Sequence, residues 1–141
     1  MKKIVITGGI GYIGTELCKI YSGYSWNDKV TIIDNRFISE RVNQLRNWNM
    51  NFVHGDILDK DLIKKYCSDA DVIHHLAGIT AVPRVQSEAS EEKEKEIERV
   101  AKEGTQNILD VVSNTCKIIM PSTHVVYEGM KDVQEDILEN E

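Results

Sequence analysis

The sequence predicts an α/β fold, a doubly wound parallel sheet with helices on both faces. Five short, mostly β-branched runs are nearly continuous in hydrophobicity, as parallel strands covered on both faces are. Helical periods separate them, so strand and helix alternate along the chain. Strands are expected at residues 3–7, 30–34, 51–54, 72–76 and 117–120. The first helix rests on Ile13, Leu17, Ile20, Tyr21 and Tyr24, spaced for one apolar face. A brief helix is expected at residues 41–48, and a short one through Leu58, Leu62, Ile63 and Tyr66. The longest runs through Ile97, Val100, Ala101, Gly104, Ile108, Val111 and Val112. Right-handed crossovers then give the strand order 3-2-1-4-5.

Composition narrows the function classes. The 141 residues suit one domain, and a chain of that size buries about two-thirds of its unfolded surface without disulfides or metal. A net charge of −6 argues against a nucleic-acid or anionic-membrane surface, which would present a basic patch. It leaves a small phosphate ligand open, because backbone amides and a helix terminus suffice to hold one. No apolar run reaches bilayer length, and Gly8, Gly9 and Gly11 break the stretch after Ile6 that a signal peptide would need. A cytoplasmic protein is expected. Cys18, Cys67 and Cys116 are odd in number, far apart and each in a helical stretch, which reads as buried reduced thiols. His74, His75 and His124 lack the partner acids or cysteines of a metal set and read as structural. The charged run at 88–99 reads as a solvated helix face, Glu91 pairing with Lys95 while Lys95 and Arg99 repel.

The chemistry concentrates in Thr7-Gly8-Gly9-Ile10-Gly11-Tyr12-Ile13-Gly14, between the first strand and the first helix. Two glycine templates overlap there, Gly9-x-Gly11-x-x-Gly14 and Gly8-x-x-Gly11-x-x-Gly14. An early glycine makes the tight turn, Gly11 lets backbone approach a pyrophosphate, and Gly14 lets helix pack on strand. The helix amides then meet the phosphates. Asp34 ends the second strand, 20 residues past Gly14. A carboxylate there accepts hydrogen bonds from the adenosine ribose hydroxyls and repels a 2′-phosphate. The reading is a Rossmann-type site for NAD, with NADP disfavoured and Arg36 the group that could pair with its extra phosphate.

Four further segments make the resemblance specific. His54-Gly55-Asp56-Ile57 follows strand three, and His75-Leu76-Ala77-Gly78 ends strand four. Gly104-Thr105-Gln106-Asn107-Ile108-Leu109 lies on the long helix, and Pro121-Ser122-Thr123-His124-Val125-Val126-Tyr127 follows strand five. The chain resembles the N-terminal part of an extended short-chain dehydrogenase/reductase of the NAD-dependent nucleotide-sugar epimerase/dehydratase type. That resemblance implies cofactor contacts at Gly8, Gly11, Tyr12, Ile13, Gly14, Asp34, Asn35, Asp56, Ile57, Leu76, Ala77 and Gly78. It implies Thr123 as the catalytic hydroxyl, a nucleotide-sugar substrate and a homodimer for the full-length protein.

The departures from the family pattern carry information too. Dehydratases place Asp-Glu directly after the Thr, as acid and base for eliminating water; here His124 and Val125 stand there, so an epimerase or reductase is favoured. Ala101 replaces a frequent Asn. The literal Tyr127-x-x-x-Lys131 match belongs to the strand-five segment, and Gly129 interrupts it, so it is not the family's base pair. That pair is expected beyond the acidic turn at Gln134-Glu135-Asp136, with the sugar-binding lobe after it. On this reading the chain is the first part of a cofactor domain, inactive by itself and self-associating through a bare fifth strand or through the long helix at Ile108, Val111 and Val112. The other function class is a non-catalytic dinucleotide-binding or sensor module.

Overall fold

The computed structural model describes residues 1–23, 29–79 and 91–122. The apolar runs form β1 (Lys3–Thr7), β2 (Lys29–Asp34), β3 (Asn51–His54), β4 (Val72–His75) and β5 (Lys117–Ile119). Between them lie α1 (Tyr12–Gly23), α2 (Ser39–Asn47), α3 (Lys60–Cys67) and α4 (Glu91–Leu109). All pairings are parallel, and the strand order is β3-β2-β1-β4-β5, as the sequence predicts. Strand alternation divides the core into two layers. Ile4, Ile6, Val30 and Ile32 face one side with Cys18 of α1 and Leu45 of α2. Val5, Ile33 and Ile73 face the other, against Ile63 and Cys67 of α3 and Ile108 of α4. The central strand is closed off, with Ile6 fully buried, whereas the edge strands β3 and β5 keep partly exposed side chains. Continuous hydrophobicity therefore marks full cover only for the inner strands.

The structure corrects several expectations. Helix α1 buries Gly14 and Cys18, with Leu17 and Tyr21 half-covered, while Ile13 and Ile20 are 59% and 55% exposed. The smallest residues make the closest approach to the sheet, so the buried stripe is rotated away from the large apolar ones. Tyr24 lies outside the described residues. Leu58 precedes α3, whose N-cap is Asp59, and Val111 and Val112 follow α4 while still packing on the second core layer. Ala101 is exposed. β4 stops at His75 and β5 at Ile119, one residue short of the expected ends.

Cys116 sits in the turn before β5 and is only half-buried, not in a helix. Cys18 and Cys67 are buried free thiols whose pKa values burial pushes up to about 12, which keeps them protonated and unreactive. Lys95 pairs with Glu91 at 2.5 Å, as expected, but Arg99 turns from Lys95 to Glu96 and Glu103. Among the described residues, no helix is long and apolar enough to cross a membrane.

Candidate functional site

The carboxyl ends of β1, β2 and β4 open into a cleft of about 910 Å³. In doubly wound sheets this is where chain connections part to opposite faces and leave a crevice. Its floor is the glycine-rich turn. Gly8 has φ 71°, a conformation that side chains rarely adopt, and its amide donates to the Ile33 carbonyl at 2.8 Å. A Cβ on Gly14 would lie 2.6 Å from the Gly8 carbonyl oxygen, so only hydrogen lets α1 begin this close to the turn. Tyr12 and Ile13, in the first helical turn, line the cleft mouth, and no acidic side chain occupies that turn. An α-helix leaves its first amides without intrahelical partners and carries partial positive charge there, a setting suited to phosphate.

Asp34 closes β2 at one side of the turn and is 5% exposed. Its carboxylate accepts from the Ile10 amide at 3.2 Å, the Arg36 amide at 3.0 Å and the Arg36 Nε at 3.3 Å. The same acid therefore fixes the turn and faces the cleft. Arg36 lines the cleft beside it, more than half exposed. The guanidinium of Arg41, on α2, also donates to the Ile10 carbonyl and ties the turn from outside.

The next wall is the loop after β3. Asn35 donates its side-chain amide to Asp56 at 3.0 Å, and the Leu58 amide donates to the other Asp56 oxygen at 2.9 Å. Ile57 is held from above by α4. A Cβ on Gly104 would fall 2.3 Å from the Ile57 side chain, and the buried Asn107 donates to the Ile57 carbonyl at 3.0 Å. The Gly-Thr-x-Asn spacing thus lays α4 directly on this loop.

Leu76, Ala77 and Gly78 form the wall after β4, where the Leu76 amide bonds the Thr7 carbonyl at 3.1 Å. The Ala77 amide donates to Thr7 Oγ1 at 3.3 Å, and that hydroxyl lies 2.7 Å from His75 Nδ1. His75 Nε2 lies 3.1 Å from Thr105 Oγ1 on α4. With Thr7 donating to Nδ1, the remaining proton belongs on Nε2 and is given to Thr105, an assignment that satisfies every group. Burial holds His75 below the ordinary imidazole pKa, so the ring is neutral. His74 sits on the other face, 2.7 Å from the Tyr21 hydroxyl. Both histidines serve the framework.

The cleft gathers every residue in the expected set from Gly8 to Gly78. Thr123, with His124, Val125, Tyr127 and Lys131, lies outside the described residues, although Pro121 and Ser122 line the cleft's end. Sequence reasoning missed Glu96 and Val100, which line the cleft from α4. The available signal was their spacing, since 96, 100 and 104 form one helical stripe. Glycine backbone at close range, a bare helix terminus and a shielded carboxylate together fit a dinucleotide such as NAD.

Comparison with known proteins agrees with this geometry. The 3-beta hydroxysteroid dehydrogenase/isomerase family matches residues 5–140. A UDP-N-acetyl-alpha-D-glucosaminuronate decarboxylase of Bacillus cytotoxicus is 31% identical over 140 residues, covering 96% of this chain and 41% of the relative. A dTDP-D-glucose 4,6-dehydratase of Dictyostelium discoideum is 30% identical over 145 residues, covering 96% of this chain and 32% of the relative. The chain therefore spans less than half the length of these curated relatives. The structure of a UDP-glucose 4-epimerase from Brucella ovis in complex with NAD superposes with a TM-score of 0.74 at 26% identity. That match covers 100% of this chain and 41% of the epimerase.

Proposed function

Since the chain belongs to the extended short-chain dehydrogenase/reductases, through their 3-beta hydroxysteroid dehydrogenase/isomerase family, we propose that it forms the NAD site of a nucleotide-sugar epimerase. The observation that carries this reading is the single cleft joining the glycine turn, Asp34, Asp56 and the Leu76–Gly78 wall. Bound NAD supplies hydride chemistry, and the protein's share is to hold and aim it. The turn and the start of α1 take the pyrophosphate. Asp34 takes the adenosine ribose hydroxyls, Asp56 and the Ile57 backbone take adenine, and Leu76 to Gly78 flank the nicotinamide ribose. Thr123 hydrogen-bonds the reacting sugar oxygen and positions its proton.

Epimerisation is favoured over dehydration by residues 124 and 125. Elimination of water needs a proton donor and an acceptor next to the catalytic Thr, and Val125 is neither. Two measurements test the reading. Calorimetric titration is expected to show NAD binding about tenfold or more tighter than NADP, because the Asp34 charge opposes a 2′-phosphate. NADP binding as tight as NAD would hand control of the site to Arg36. For the reaction, the protein that carries this chain, given NAD and a nucleotide-sugar, is expected to return an epimer without loss of water. A 4-keto-6-deoxy product would assign dehydration instead.

A further inference from the structure

Helix α4 brings a charged group to the cleft that none of the four sequence segments contains. Gly104 lies on Ile57, and one and two turns back along the same stripe Val100 and Glu96 line the cleft. The Glu96 carboxylate is clamped by Arg99, whose Nε and Nη2 each donate to one of its oxygens at 3.0 Å. Such a two-point clamp fixes the direction of a carboxylate as well as its charge. Arg99 keeps Glu96 ionised, holding its pKa below the usual carboxylate range against the opposing charge of Asp56. Asp56 and Glu96 line the same cleft, and the charge of Asp56 acts on both Glu96 and Arg99.

Asp56 is already engaged. One of its oxygens accepts from the Leu58 amide and the other from the Asn35 side chain. An aromatic base entering beside Ile57 brings an exocyclic amine whose two hydrogens point in different directions, so Asp56, with one lone pair left on each oxygen, meets only one of them. The second hydrogen needs another acceptor there. We propose that Glu96, clamped by Arg99, reads the base of the bound dinucleotide by accepting a hydrogen bond from its exocyclic amine. Val100, one turn along, covers the face of the same base. This inference rests on the dinucleotide reading of the cleft and assigns its base specificity.

The test compares NAD with its hypoxanthine analogue, in which a carbonyl replaces the exocyclic amine, by calorimetric titration of the full chain. Glu96→Ala is expected to weaken NAD about fivefold, the loss of one charge-assisted hydrogen bond at a half-exposed site, while the hypoxanthine analogue binds as well as before or better. Glu98→Ala removes an ion pair of the same kind, to Lys102 on the same helix but outside the cleft, and is expected to change neither affinity. Equal weakening of both ligands by Glu96→Ala, no weakening of NAD, or the same loss in Glu98→Ala would overturn the assignment. Failure of the parent chain to bind NAD at all is a separate result, which overturns the dinucleotide reading and this inference together.

Discussion

At Gly14 a single methyl group is the difference between a closed turn and an open one. Gly14→Ala would drive its Cβ into the Gly8 and Gly9 backbone, both 2.6 Å away, with no flexible side chain to yield. It is expected to cost about 2–3 kcal/mol in urea unfolding, and to weaken nucleotide binding through the displaced turn. His75 makes a different prediction. The unfolded ring takes a proton below about pH 6.5, whereas burial keeps the folded ring neutral to lower pH. The unfolded state then binds more protons, so stability falls as pH drops below 6.5 and is level above about pH 7. His74 shifts in the same direction. Chemical unfolding across pH 5 to 8 checks this, and His75→Gln is expected to flatten the slope; an unchanged slope would clear His75 of the effect. The places of Gly8 and Gly14 were legible in the sequence because they depend on spacing along one turn, and that of Asp34 because it closes the next apolar run. The second duty of Asp34, which holds the Ile10 amide as well as facing the cleft, was not, since it depends on where the neighbouring β1 brings that amide.

Among the elements, strands were read well and helix faces less so. A buried parallel strand announces itself by composition alone, and β1 falls where its apolar run places it, as does the partly exposed edge strand β3. The face of α1 was misread because the pattern weighs large apolar residues, while the structure turns Gly14 and Cys18 inward. Helix α4 was correctly placed, yet its stripe at 96 and 100 was taken for solvated surface and core, because only the loop after β3 turns that stripe into a wall. Two substitutions probe how elements are anchored. Asp59 caps α3, accepting from the Asp61 and Leu62 amides at 3.1 and 3.0 Å. Asp59→Ala is therefore expected to cost about 1 kcal/mol. Asn107→Ala strands the Ile57 carbonyl beneath α4 and is expected to cost about 1–3 kcal/mol. Denaturant midpoints at constant slope check both, and an Asn107→Ala midpoint equal to the parent's would mean that the α4 contact is held by Gly104 packing alone.

For the molecule as a whole, topology explains why one cleft collects residues from so much of the chain. With β1 central and its neighbours β2 and β4 leading to opposite layers, the strand ends at residues 7, 34 and 75 are brought side by side. Hydrogen exchange with and without NAD is expected to show added protection at residues 8–13, 56–58 and 76–78, with the far ends of the strands unchanged. Protection confined to surface loops elsewhere would place the ligand outside the cleft. The grip of α4 on Ile57 has a consequence in assembly. Asn107 and the carbonyl it holds are 50 residues apart, so this wall of the cleft is contributed early in the chain and fixed late. A ligand that recognises only the finished wall adds its binding energy to the docking of the last helix, about 2.7 kcal/mol at a hundredfold excess over its dissociation constant. On the proposed reading, bound nucleotide would act as a latch on α4, and a protease that cuts this helix only when it lifts from the sheet would be slowed by cofactor it never touches.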